Sequence, residues 1–83
     1  MPHYWISYRS LTHAQRAARI LERKGLTAVI SRLPQGVSPK GCGYALVVRH
    51  RINDALALLR QAQLPGGMVF EKTDTGEFRE VRL

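Results

Sequence analysis

The sequence predicts an α+β fold in which two helices pack on one face of an antiparallel sheet. Short strand-like segments alternate with two amphipathic segments of helical spacing, in the order βαββαβ. The chain has 83 residues, which suffice for one modest core and one small domain. The expected architecture is therefore a ferredoxin-like sandwich over residues 1–83, with an optional extra edge strand at the C-terminus.

The first strand and the first helix follow from local sequence signals. Residues 4–8 are aromatic and β-branched, which favours a strand. We expect Ser10 or Thr12 to cap the helix that follows, because the four residues from Thr12 onward have the form of a capping box. Apolar side chains then recur every three or four residues until Gly25, which is typical of a helix C-terminus.

The middle of the chain predicts two strands joined by a loop. Residues 28–31 favour the second strand, and the prolines and glycines of residues 34–43 predict the loop. Residues 44–48 form the most continuously apolar run of the chain. This run is expected to be a central strand that is covered on at least one face.

The C-terminal part predicts a second helix and two further strands. Residues 52–64 place their apolar side chains on one helical stripe, and Asn53 or Asp54 favours the start of the helix through capping and the helix dipole. A Pro-Gly-Gly sequence ends it. Residues 68–71 predict a fourth strand. The alternation of residues 78–82 predicts either an added edge strand or an ordered tail.

The charge of the chain is strongly positive and unevenly distributed. Thirteen Lys and Arg residues against six Asp and Glu give a formal charge of +7, and ten of the thirteen bases are arginines. Residues 1–70 carry ten of the bases and two of the acids, whereas residues 71–83 carry three bases and four acids. Such a basic body attracts RNA, phosphate-bearing ligands or an acidic protein surface. An ordinary solvated surface is an equally weighted interpretation.

Several functional classes are disfavoured by composition. The chain has one cysteine and three histidines, whose spacing matches no zinc pattern, and we expect neither a metal nor a cofactor. No nucleophile, base and acid set indicates an independent enzyme. No membrane-length apolar run or signal-peptide pattern occurs, so we expect a cytoplasmic protein with a reduced thiol.

The single cysteine, Cys42, is the most informative residue. It is preceded by Gly41 and followed by Gly43, and glycines on both sides reduce the steric cover of the sulfur. In the predicted topology this loop shares one end of the sheet with the N-terminus of the first helix, whose positive end favours a thiolate. A small buried cysteine is the alternative. The candidate site comprises Cys42 with the supporting residues Gly41, Gly43, Ser10, Thr12, His13, Arg9, Lys40 and Ser38.

The sequence also resembles a known family over nearly its whole length. The matching residues are Ser10, Ala14, Leu21, Gly25, Leu26, Pro34, Val37, Ser38, Cys42, Gly43, Ala45 and Leu46. They resemble the small bacterial family of selenium/sulfur carrier-like proteins. The resemblance implies a ferredoxin-like fold and a Cys-Gly site, Cys42 and Gly43, that passes sulfur or selenium between donor and acceptor proteins. The chain departs from the family pattern at Gln35, where an arginine is usual, and in a slightly longer segment between Ser38 and Cys42.

A different class of function remains open at this stage. Residues 40–44, Lys-Gly-Cys-Gly-Tyr, imitate the third-strand motif of RNA recognition domains, which share the βαββαβ order. However, Cys42 replaces the first base-stacking aromatic residue, and Val47 stands where the last one is expected. An RNA-binding module would need Tyr4, Trp5 or Tyr44 to stack on bases in place of these two missing aromatic residues. A non-catalytic interaction or regulatory domain is the other alternative.

Overall fold

The computed structural model describes residues 3–34, 36–37 and 43–82 of the chain. Its elements are β1 (His3–Tyr8), α1 (Leu11–Arg23), β2 (Ala28–Arg32), β3 (Tyr44–Val48), α2 (Ile52–Gln61), β4 (Val69–Lys72) and β5 (Phe78–Val81). The sheet order is β2-β3-β1-β4-β5, and every neighbouring pair is antiparallel. The predicted ferredoxin-like α+β fold is confirmed, and β5 is the predicted extra edge strand.

Both helices pack on the same face of the sheet. Helix α1 turns three alanines and Leu21 toward the strands, and small side chains allow its backbone to approach the sheet closely. Helix α2 contributes Ile52, Ala55 and Leu59 to the same core. The fully or nearly buried residues of this helix-side cluster are Ile6, Tyr8, Ala14, Ala17, Ala18, Leu21, Leu26, Leu46, Val48, Ile52, Ala55 and Leu59.

The other face of the sheet carries a second, smaller cluster. Its buried members are Leu33, Ala45 and Phe70, and Trp5, Val37, Met68 and Phe78 pack against them. Leu33 and Val37 belong to the connection between β2 and β3, so this connection covers part of the face that the helices leave open. We call this group the open-face cluster.

The start of α1 differs in detail from the capping-box prediction. Ser10 is the N-cap: its backbone is extended, with φ −143° and ψ 156°, and its Oγ accepts a hydrogen bond from the backbone N–H of His13. Thr12 lies inside the first helical turn. Of the two caps considered, Ser10 is therefore confirmed and Thr12 is wrong, because the side chain that reaches a free amide is one residue before the helix.

Helix α2 is shorter than predicted at its C-terminal end. It ends at Gln61 rather than Leu64, and Gln63 adopts a left-handed backbone with φ 60°. At its start, Arg51 takes the cap position with φ 55° and no side-chain capping bond. Asp54 lies in the first turn, as the dipole argument requires, and its carboxylate accepts a hydrogen bond from Arg51 Nε at 3.0 Å.

Candidate functional site

The predicted site is only partly visible in the described structure. Cys42, Gly41, Lys40 and Ser38 lie outside the described residues. Gly43, Arg9, Ser10, Thr12 and His13 are described, and they show what borders the cysteine-bearing loop where it re-enters the sheet.

Gly43 is confined by its backbone angle and by its neighbour. Its φ is +142°, a region that L side chains rarely adopt, and a Cβ placed on it would lie 2.9 Å from the carbonyl oxygen of Tyr8. The Gly43 carbonyl in turn accepts a hydrogen bond from the N–H of Leu33 at 3.2 Å. A side chain at position 43 would thus oppose both the backbone angle and the close approach of β1.

The register of the sheet brings Gly43 next to the beginning of α1. Tyr44 is paired with Tyr8, the last residue of β1, and the cap residue Ser10 follows two positions later. The predicted shared end of the sheet is confirmed for these described residues. The residue that directly follows Cys42 in sequence therefore lies beside the segment that leads into the N-terminus of α1.

The first turn of α1 carries the polar residues Thr12 and His13 and no acidic residue. Ser10 Oγ lies 2.6 Å from His13 Nδ1, in addition to accepting the hydrogen bond from the His13 amide at 3.2 Å. Arg9, Thr12 and His13 are exposed. The free amides of a helix N-terminus and its dipole favour negative charge, so this end of the sheet suits an anionic group.

Two residues of β1 that sequence reasoning did not select hold this end of the fold together. Tyr8 donates a hydrogen bond from its hydroxyl to the carbonyl of Leu64 at 2.8 Å, and Ser7 Oγ accepts one from the N–H of Met68 at 2.8 Å. Burial raises the pKa of Tyr8 to about 12, from an ordinary value of 10. The alternation of Tyr4, Ile6 and Tyr8 was the signal that could have identified Tyr8 as a core residue.

The face on which each aromatic residue lies bears on the RNA alternative. Tyr44 packs against the helix-side core, and the guanidinium carbon of Arg32 lies 5.6 Å from the centroid of its ring. Tyr4 also packs against that core, whereas Trp5 belongs to the open-face cluster. Base stacking on the open face of a sheet needs the third-strand aromatic on that face. Tyr44 points to the opposite side. The chain therefore resembles the RNA motif in sequence but not in the position of this aromatic ring.

Pockets and ligand clusters add little to this site. A cleft of about 180 Å³ lies between α2 and β4, and Arg60 is its one charged lining residue. In residues 3–34, 36–37 and 43–82, no three His, Cys, Asp or Glu residues come together as metal ligands would. No helix within the same ranges has the length and apolar character that crossing a membrane requires.

Comparison with known proteins identifies the family. The family described as "Putative Se/S carrier protein-like" matches residues 3–71, a span that runs from the start of β1 into β4. The chain belongs to this family. The match to the Se/S carrier family includes both Cys42 and Gly43 and stops before β5. No curated protein and no solved structure gives a significant match.

Membership confirms the resemblance drawn from the sequence. The family name describes carriage of selenium or sulfur, an activity that involves donors and acceptors as a class.

Proposed function

We propose that this protein accepts a sulfur or selenium atom on the thiolate of Cys42 and passes it to an acceptor protein. The observation that carries the proposal is the family match across residues 3–71, because that span contains the only cysteine of the chain. A chalcogen held covalently on a cysteine of this protein has no other position to occupy. The carrier acts with partner proteins rather than as an independent enzyme.

The geometry around Gly43 supports an accessible and activated thiol. Gly43 leaves no side chain beside the sulfur-bearing residue, and Gly41 does the same on the other side in the sequence. The N-terminus of α1, with Ser10 as its cap and His13 in its first turn, provides a positive helix end that stabilises a nearby thiolate. Arg9, Thr12, Lys40 and Ser38 are proposed as supporting residues on the same argument.

The loading step is a thiol exchange without net oxidation. The Cys42 thiolate attacks the outer sulfur of a persulfide on the donor protein, and a new S–S bond forms at Cys42. The donor's own S–S bond breaks, and its electron pair leaves with the donor thiolate. Transfer to the acceptor repeats the exchange in the other direction. Because the free thiol must persist between cycles, we propose that the protein works in the cytoplasm.

Intact-mass spectrometry tests the loading step directly. The protein is incubated with a cysteine desulfurase and cysteine, and its mass is compared before and after treatment with a reductant. We expect a gain of one sulfur atom that the reductant removes, and no gain in Cys42→Ser. Absence of the gain, under conditions that load an established acceptor protein, would contradict the carrier function. Repeating the reaction with selenocysteine tests selenium separately.

The reactivity of the thiol is tested independently of any donor. We expect the folded protein to react with iodoacetamide at pH 7 faster than an unstructured peptide of residues 38–46, because a stabilised thiolate is more abundant. Ser10→Ala should slow the reaction, whereas Glu80→Ala, at the other edge of the sheet, should leave it unchanged. A folded-state rate equal to or below that of the peptide would remove the argument from the helix N-terminus.

A further inference from the structure

The exposed side of α1 carries a row of three arginines. Arg16, Arg19 and Arg23 lie within about 60° of one another around the helix axis and span about 10 Å along it. All three are exposed, and they lie opposite the buried alanines and Leu21. We call these three residues the arginine row.

No ion pair within the described part of the chain involves the arginine row. The two ion pairs found there join Arg51 to Asp54 and Arg79 to Glu71, and neither involves α1. Glu22 is the one acidic residue of α1. The four acids of residues 71–80 belong to the β4–β5 hairpin, whereas α1 packs mainly over β2 and β3 at the other side of the sheet.

A contribution to helix stability does not explain why three arginines lie together on this side of α1. A base in the last turn, such as Arg23, is favoured by the helix dipole. Arg16 and Arg19 lie in earlier turns, and like charges three or four residues apart repel each other. An isolated solvated helix would gain from acids interleaved at these positions. The repulsion is relieved when a surface of negative charge covers the row.

We infer that the arginine row is a docking surface for a carboxylate-rich face of the proteins that exchange the chalcogen, an inference that rests on the proposed carrier function. The row starts about 9 Å along the helix from Ser10, so a partner bound to it stands next to the end of the sheet where Gly43 lies. Guanidinium groups pair well with planar carboxylates. Exposed charge contacts give fast, reversible association, which a carrier that must release its partner requires.

The same observations favour a protein partner over RNA. Single-stranded RNA is held through base stacking as well as through phosphates. The exposed side of α1 offers no Phe, Tyr or Trp, and the ring of His13 is already engaged with Ser10. Tyr44, the aromatic of the RNA-like motif, packs on the helix-side core. A row of glutamates spaced as on one face of a partner helix matches three arginines over about 10 Å.

The test uses a defined acidic probe and charge-matched variants. A helical peptide with glutamates at positions i, i+3 and i+7 is titrated into ¹⁵N-labelled protein at low salt, beside the same peptide with glutamines. We expect amide shifts concentrated in residues 12–24, and binding about tenfold weaker in the triple variant Arg16→Gln, Arg19→Gln, Arg23→Gln. The control variant, Arg49→Gln, Arg60→Gln, Arg82→Gln, loses the same three exposed charges and should bind within about twofold of the unaltered protein.

Each other outcome overturns the inference. Equal weakening in both triple variants would mean that only net charge matters, and shifts outside α1 would place the acidic partner elsewhere. A decamer of uridines that binds the row more tightly than the peptide would assign the row to nucleic acid. Loading of Cys42 by inorganic polysulfide, measured by mass on the same variants, keeps the two proposals apart. Docking can then fail with loading intact, and loading can fail with docking intact.

Discussion

At the scale of single residues, Gly43 is sensitive to substitution for two reasons, its positive φ and the close approach of the Tyr8 carbonyl. We predict that Gly43→Ala lowers the free energy of unfolding by about 2 to 4 kcal/mol, because a Cβ meets the Tyr8 carbonyl at 2.9 Å and φ is +142°. Urea denaturation followed by circular dichroism measures the change.

Gly76→Ala is the matched control for Gly43→Ala. Gly76 also has a positive φ, of +88°, but a Cβ there has nothing within 4 Å. Gly76→Ala should lower the free energy of unfolding by about 1 kcal/mol, from backbone strain alone. Equal costs for the two alanines would show that the close approach of β1 and β3 at Gly43 is unimportant for stability.

Tyr8 gives the fold a dependence on high pH. Burial raises the pKa of its hydroxyl to about 12, from an ordinary value of 10. Because the neutral form is favoured in the folded state, the stabilisation is complete below pH 10 and is lost as the pH rises from 10 to 12. We predict that the unfolding free energy falls across this window by on the order of 2 kcal/mol more in the unaltered protein than in Tyr8→Phe.

Comparison with Tyr8→Phe is needed because other groups also titrate at high pH. At pH 7 this variant should lose about 1 kcal/mol, since the hydrogen bond to the Leu64 carbonyl is absent. Denaturant titrations at pH 7, 9, 10, 11 and 12 measure both effects. Parallel stability curves for the two proteins from pH 9 to pH 12 would contradict the assignment to Tyr8.

At the scale of elements, the N-cap decides where α1 begins. We predict that Ser10→Ala destabilises the protein by about 1 kcal/mol, because the His13 amide loses its acceptor. Thr12→Ala should change stability by less than about 0.5 kcal/mol, since Thr12 is exposed within the first turn. Thermal unfolding of both variants, with Ser10→Asp as a cap-preserving replacement, measures the difference. A larger loss in Thr12→Ala would restore the original capping-box prediction.

Elements with strong boundary residues were predictable from the sequence. The bounds of β3 agree with the prediction, because a continuous apolar run is flanked by glycine on one side and charged residues on the other. The end of α1 agrees as well, because Gly25 takes a left-handed φ of 79°. The end of α2 was missed because Gln63 adopts the same kind of backbone, and glutamine gives no sequence signal for it.

The candidate site was predictable only to the level of topology. The order βαββαβ was enough to place Gly43 near the start of α1. The packing of Leu33 and Val37 on the open face depends on tertiary contacts in a connection without hydrophobic periodicity, so no local pattern could indicate it. Tyr44 shows the same limit, because a matching motif spacing did not determine which face of the sheet its ring occupies.

At the scale of the whole molecule, the sheet is covered differently on its two faces. The helices bury one face. On the open face, side chains of the sheet pack against one another, and Phe78 of β5 is among them. Strand β5 lies beyond the family match, which ends at residue 71. Phe78 of β5 meets Trp5 edge-on, with ring centroids 5.0 Å apart, and the ammonium of Lys72 lies 5.7 Å from the centroid of each ring. The Phe78 side chain of the added strand thus covers part of the Trp5 ring, at the centre of β1.

Trp5 is the only tryptophan of the chain, so its fluorescence reports on this cover. Its indole Nε1 is buried and has no hydrogen-bond partner among the described residues. We predict that Phe78→Ala shifts the emission of folded protein to longer wavelength and lowers the unfolding free energy by about 2 kcal/mol, because water gains access to the Trp5 ring. Glu80→Ala, an exposed change on the same strand, should move neither quantity appreciably. Unchanged emission in Phe78→Ala would mean that the connection carrying Leu33 and Val37, rather than β5, shields Trp5.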